Sequence, residues 1–315
     1  MAVAFVFPGQ GSQDVGMGKE LAHTFKAARD VFEEVDAALG QKLSEIMWEG
    51  PKEALTLTEN AQPALMAVSM AVIRVLEREH GFSLADKVKL LGGHSLGEYS
   101  ALAAAGAFRL ADAARLLRTR GRAMQGAVPV GQGGMAALLG VGMDIARKVA
   151  EEAAQGEVCQ VANDNEPAQV VLSGHKAAID RVAAIGKKHG ARRALPLPVS
   201  APFHCALMRP AADAMAEALA GVEIKRPHVP VVANVSAAPT SDPAEIRRLL
   251  VEQVTGTVRW RECVTTMTAH GVTDFYEIGS GRVLAGLVKR IAKDAGAMSI
   301  GAPPDIAAAM ALLSR

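Results

Sequence analysis

Short apolar runs alternate with longer amphipathic stretches along the first third of the chain. Ala2–Phe7 has the length and hydrophobicity of a buried strand and is closed by Pro8-Gly9-Gln10-Gly11. Lys19–Leu39 and Pro63–His80 carry apolar residues at helical spacing. Val88–Leu91 predicts a second strand, running into Gly92-Gly93, and Leu96–Ala105 and Leu110–Gln125 predict helices. Strand–helix alternation of this kind predicts an α/β fold with a mainly parallel sheet.

The middle of the chain changes rhythm. After the Gly- and Pro-rich stretch Gly126–Gly134 come strand Met135–Leu139, helix Asp144–Ala154, strands Val158–Asn163 and Gln169–Ser173, helix Lys176–His189 and strand Arg193–Leu197. That β-α-β-β-α-β order is the ferredoxin-like signature, expected here as a small domain at 128–198 inserted into a larger one formed by 1–127 and 199–315. Pro196 and Pro198 mark the return. Helix Pro210–Leu219, strand Val229–Ala233, helix Pro243–Gln253 and strand Asp274–Ile278 follow. A Gly279-Ser280-Gly281 turn then leads into helix Arg282–Lys293, and the Ala-rich Asp305–Leu313 predicts a terminal helix.

Composition narrows the function classes. The chain has 315 residues, half of them hydrophobic, which is ample for a real core. A net charge of +1 gives no global pull toward nucleic acid, so an acidic partner would have to meet a local basic patch. Cys159, Cys205 and Cys263 are odd in number and lack C-x-x-C spacing, which fits free thiols in a reducing compartment and supports neither disulfides nor zinc. The opening residues lack the basic leader of a signal peptide, and no run of about 18 apolar residues is present to span a membrane. The cytoplasm is the expected location.

Gly93-His94-Ser95-Leu96-Gly97 fits G-x-S-x-G between a predicted strand and helix. A turn tight enough to expose a serine brings Cβ atoms against neighbouring backbone, hence the glycines. The serine oxygen would then stand above a helix's first turn, where unpartnered N–H groups, Leu96 nearest, can hold an oxyanion. The bland alternative is a strand–helix turn with a serine cap. A serine nucleophile needs a base, usually histidine. Of eight histidines, His204 stands out, in a stretch ordered by Pro198 and Pro202; His94, adjacent to Ser95, fits a structural or electrostatic role better. No acid follows in an obvious motif: Asp213 and Glu217 fall on a helix that looks solvated, and Asp274 and Glu277 flank a strand. A dyad whose histidine is oriented by a backbone carbonyl is therefore plausible.

Helix Leu110–Gln125 gathers Arg115, Arg118 and Arg122 on its polar face, whereas Arg120 lies at the edge of the apolar stripe. An arginine there wants a carboxylate, either an internal Asp or Glu or one carried by a substrate.

Taken together, Phe7-Pro8-Gly9-Gln10-Gly11-Ser12-Gln13, Gly93–Ser100, Pro202-Phe203-His204-Cys205-Ala206-Leu207-Met208 and Tyr276–Leu284 resemble the malonyl-CoA:acyl carrier protein transacylases over essentially the whole chain. The resemblance implies an α/β-hydrolase-like large domain carrying the ferredoxin-like insert. It implies Ser95 as the nucleophile, His204 as base and acid, and the backbone carbonyl of Gln253 orienting that histidine. Gln10 and Leu96 would supply oxyanion N–H groups, and Arg120 would clamp the malonyl carboxylate. It further implies a monomer with malonyl-CoA as substrate, acyl carrier protein as partner, no cofactor and no metal. Two positions bear on substrate choice. Glu166 stands in Asn163-Asp164-Asn165-Glu166-Pro167 where the family often has serine, adding negative charge near a possible substrate-facing loop. Phe203 before His204 matches malonyl-selective members. Rival readings are a serine hydrolase or thioesterase, the equivalent acyltransferase of a polyketide pathway, and a non-catalytic carrier-protein docking subunit. Lys187, Lys188, Arg192 and Arg193 form a candidate basic patch for an acidic carrier, or an ordinary solvated helix end.

Overall fold

A computed structural model describes residues 2–313; Met1, Ser314 and Arg315, at the ends of the expected large domain, lie outside the described residues. Among the described residues ten strands run in chain order: β1 (Val3–Phe7), β2 (Val88–Gly93), β3 (Gly133–Leu139), β4 (Cys159–Glu166), β5 (Gln169–His175), β6 (Arg193–Pro196), β7 (Val231–Val232), β8 (Pro239–Thr240), β9 (Asp274–Ile278) and β10 (Gly296–Ile300). They form two sheets. The larger has order β10-β9-β1-β2-β7-β8, parallel except for β8. The smaller, order β4-β5-β3-β6, is antiparallel.

β1 sits in the middle of the large sheet and all its residues are buried. Its alternation feeds two cores: Phe5 and Phe7 join one hydrophobic cluster, Ala4 and Val6 another with Trp260 and Met267. A third cluster, with Leu138, Val149, Leu172 and Val182, belongs to the small sheet and its two helices. The expected β-α-β-β-α-β order is what the chain forms there, and its strand order is the one that pattern requires.

Several expectations need correction. The predicted helix Lys19–Leu39 is two, Lys19–Thr24 and Lys26–Leu39, because Phe25 is extended (φ −119°, ψ 127°) and sets its ring edge-on to His80. The helix predicted from Pro63 begins at Thr58, and Pro63 sits inside it. Tertiary contacts hold that first turn: Asn60 donates to Ala54 O, and Gly121 packs on the Glu59 backbone, where a Cβ would sit 2.5 Å from Glu59 Cα. Strand Val229–Ala233 shrinks to β7. Helices Leu43–Glu49, Lys52–Thr56, Leu84–Lys87 and Trp260–Ala269, and strand β10, were not anticipated. Arg118 is buried and donates to Gln41 Oε1, so it leaves the solvated face on which Arg115 and Arg122 remain.

Candidate active site

β2 ends at Gly93, helix Gly97–Ala104 begins two residues after Ser95, and Ser95 itself takes a left-handed φ of 55°. The glycines are a steric requirement. A Cβ on Gly93 would lie 1.9 Å from the Gly97 backbone, and one on Gly97 2.2 Å from Phe7 O. Asn234 ties the turn together: its Oδ1 accepts the Ser95 N–H at 2.8 Å and its Nδ2 donates to Gly93 O at 2.7 Å. The N–H groups of Leu96 and Gln10 find no acceptor among the described residues, and both residues line the same cleft as Ser95. The Gln10 side chain is pinned, accepting from Thr58 Oγ1 at 2.6 Å.

His204 is buried, also at a left-handed φ of 58°. Its Nδ1 lies 2.8 Å from Gln253 O, and a carbonyl can only accept, so Nδ1 carries the proton. Nε2 therefore offers its lone pair to Ser95 Oγ, 2.8 Å away. The Gln253 carbonyl thus stands where a triad carboxylate would, and no Asp or Glu bonds His204 among the described residues. Burial first, and then the nearby Arg120 cation, push the His204 pKa down to about 3. The imidazole is thus neutral at ordinary pH in the empty site, with its Nε2 lone pair on Ser95 Oγ.

Arg120 is buried beside this pair. Its guanidinium donates to Gln62 Oε1 at 2.8 Å, Gln253 Oε1 at 2.9 Å and Ser95 Oγ at 3.1 Å, and lies over the Tyr99 ring, 5.7 Å from its centroid. Among the described residues no carboxylate pairs with it directly, which removes the internal Asp or Glu that the sequence left open. Burial lowers its pKa, opposed by Tyr99 and Glu98. A desolvated cation without a counter-ion is costly by several kcal/mol, on the order that a bound carboxylate would offset.

The cleft, about 460 Å³, takes Gln10, Ser95, Leu96 and Arg120 from the large domain and an apolar wall of Met124, Met135, Leu197 and Phe203. The Gly131–Gly134 segment is not part of its lining; Met135 and the return Leu197–Val199 are. His94 is half-buried against Trp260, 5.8 Å between ring centroids, and its Nε2 lies 2.9 Å from Asn165 Oδ1. Burial lowers its pKa, so it stands as a neutral structural group at the cleft wall. Glu166 faces away: side chains alternate along β4, so Asn163 lines the cleft while Asp164 and Glu166 meet Arg261 at 2.8 Å and Arg290 at 3.4 Å. The negative charge expected near the substrate is consumed in that pair.

Four residues here escaped the sequence: Gln62, Glu98, Tyr99 and Asn234. Glu98 carried a signal, a carboxylate in the first turn of an otherwise apolar helix. Asn234 had none, because its partners Gly93 and Ser95 lie about 140 residues away.

The acyl transferase domain family matches residues 4–303. The chain is 47% identical over 307 residues to the malonyl CoA-acyl carrier protein transacylase of Salmonella typhimurium, covering 98% of each. The acyl-carrier-protein-S-malonyltransferase structure from Bartonella henselae superposes with a TM-score of 0.98 at 56% identity, over all of both chains. A malonyl-transacylase solved in complex with a type II PKS acyl-carrier protein superposes with a TM-score of 0.95 at 43% identity, over 99% of this chain and 100% of that one. With its serine, histidine and arginine gathered in one cleft and this similarity running from end to end, the chain belongs to the acyl transferase domain family, among the malonyl CoA-acyl carrier protein transacylases.

Proposed function

We propose that this chain transfers the malonyl group of malonyl-CoA to the phosphopantetheine thiol of acyl carrier protein, through a malonyl ester on Ser95. The observation that carries the reading is Arg120, a buried cation with no carboxylate bonded to it among the described residues, 3.1 Å from the serine oxygen. Malonyl is an acyl group with a free carboxylate at its far end. With that carboxylate on Arg120, the thioester carbon comes to Ser95 Oγ. Oγ attacks, His204 Nε2 takes its proton, and the Leu96 and Gln10 N–H groups receive the oxyanion. As the C–S bond breaks, His204 returns the proton to the CoA sulfur. The carrier thiol then repeats the sequence in reverse, giving its proton to His204 and receiving the acyl group, and Ser95 recovers its hydrogen. Charge timing favours both halves. The Arg120 cation depresses the histidine's pKa in the empty site, and a bound carboxylate relieves that depression, making His204 the better base for the serine hydroxyl and, in the second half, for the carrier thiol.

A hydrolase would share Ser95 and His204 but has no use for Arg120. Brief incubation with malonyl-CoA followed by intact mass measurement should add one malonyl group to the wild type and none to Ser95→Ala. A Ser95→Ala protein that still gains the mass would end the proposal. Arg120→Ala should lose about 100-fold or more in malonylation while its use of acetyl-CoA holds or improves. Unchanged preference would remove the clamp.

We take 128–198 as the inserted domain and 1–127 with 199–313 as the catalytic one, supported by the separate sheet and core. No helix among the described residues is long and apolar enough to cross a membrane. We place the protein in the cytoplasm as a monomer, in keeping with its family resemblance and its three free, buried cysteines. For the acidic carrier we propose the end of helix Lys176–Lys188. Lys188 is tied to Glu152 at 2.7 Å, which leaves Lys187, Arg192 and Arg193 exposed and without an ion pair among the described residues. Reversing these three charges should raise the KM for carrier protein roughly tenfold and leave that for malonyl-CoA unchanged.

A further inference from the structure

Arg120 has no direct counter-ion, yet a carboxylate stands one residue behind it. Gln253 is fully buried, and its side-chain amide faces two ways: Oε1 accepts from Arg120 Nη2 at 2.9 Å, and Nε2 donates to Glu98 Oε2 at 2.8 Å. The same Nε2 lies 3.0 Å from Ser95 O. Glu98 is itself buried, 3% exposed, and its Oε2 also accepts the Asn234 N–H at 2.9 Å. The line Arg120–Gln253–Glu98 is an ion pair with an amide dipole between its charges, oxygen toward the cation and N–H toward the anion. In a dry interior such a chain of bonds is mutually polarising.

The separation has a purpose that a direct pair could not serve. A carboxylate on the guanidinium itself would occupy the fork that an incoming carboxylate needs. A carboxylate one amide away steadies the cation and fixes its aim while leaving Nε, buried and unbonded among the described residues, without a competing anion. Burial raises the Glu98 pKa to about 7, opposed by its bonds to Asn234 and Gln253 and by the Arg120 charge; Glu98 in turn supports the charged form of Arg120.

We propose that Glu98, acting through the side-chain amide of Gln253, is a positioning residue that holds Arg120 charged and aimed, and so sets the preference for acyl groups ending in a carboxylate. This rests on the reading of Arg120 as the carboxylate clamp. Glu98 touches neither substrate nor the reacting atoms.

The test is the rate of Ser95 acylation, followed by quenched intact mass, with malonyl-CoA and acetyl-CoA side by side. Glu98→Gln keeps the shape and the acceptor for Gln253 and removes the charge. It should lower the second-order rate constant for malonyl about tenfold and leave that for acetyl within about twofold. Loss of support for the nucleophile turn alone would slow both acyl groups alike, so an equal loss, or no loss, overturns the proposal. Gln253→Leu breaks the relay while keeping the main-chain carbonyl on His204, and should shift the malonyl-to-acetyl ratio in the same direction; that ratio decides if Glu98→Gln does not fold. Arg120→Ala run in parallel separates the two ideas. If it keeps the malonyl preference, the clamp falls and this inference with it. If it loses the preference while Glu98→Gln and Gln253→Leu keep theirs, only the role of Glu98 falls.

Discussion

Ser95 and His204 face each other at 2.8 Å, and both hold a left-handed φ, 55° and 58°, but the chain keeps them there by different means. The serine's turn is enforced by local sterics: two glycines within two residues of it leave no room for a Cβ, against the Gly97 backbone on one side and Phe7 O on the other. The histidine's turn contains no glycine. It is held from a distance, by the Gln253 carbonyl on Nδ1 and by Gln160 Oε1, which accepts the Ala206 N–H at 2.7 Å. Strain is stored at both functional groups. One rests on glycines beside it, with Asn234 as a distant tie, the other only on parts of the fold about 50 residues away, so the two should respond differently to substitution.

The largest expected difference comes from the glycines. Gly97→Ala should destabilise the fold by about 3 kcal/mol or more and abolish acylation, since the new methyl meets backbone, which cannot rotate away. A normal denaturant midpoint for this variant would break the comparison. On the histidine side, Gln160→Ala removes one exposed hydrogen bond. Stability should fall by only about 1 kcal/mol, while acylation slows several-fold as the loop loosens; circular dichroism melts and the mass assay read the two separately. The smallest effect concerns pH. His204 titrates at about 3 in the fold against an ordinary 6.5. Acetyl transfer to Ser95, which does not use the clamp, should therefore change less than about twofold between pH 8 and 5. In Arg120→Ala the depressing cation is gone, the histidine's pKa rises, and the acid limb should move up in pH. Stability carries the matching sign: below 6.5 the unfolded chain binds a proton that the buried imidazole refuses, so this group makes the fold less stable as pH falls toward 3.

The same contrast explains what the sequence revealed. The nucleophile turn and the insert were legible because their constraints are local: glycine spacing in one, alternating and helical periods in the other. Arg120 was legible as an oddity of position on its helix, but the absence of an internal partner was visible only once the chain had folded. Helix Trp260–Ala269 could have been found, since Trp260, Cys263, Val264 and Met267 recur at helical spacing and are all buried; its threonines, poor helix formers, mask the pattern. Strand β10 could not, being half-exposed and opened by a glycine at the sheet's edge. Asn234 and Gln62 are ordinary polar residues until the fold delivers their partners.

The four-stranded sheet is joined to the rest of the fold by more than the two chain crossings at its ends. Asn163 forms an isolated parallel bridge to Val258, with Asp164 N donating to Val258 O at 2.9 Å and Val258 N to Ala162 O at 2.8 Å, and the buried Asp164 carboxylate meets Arg261 beside it. Asn163 is also a wall of the cleft. The stretch of β4 that lends Asn163 to the cleft is therefore fixed by a backbone stitch, and moving it away from Val258 means breaking main-chain bonds. The amide protons of Asp164 and Val258 are consequently a built-in gauge: their exchange with solvent should time each opening of that stitch.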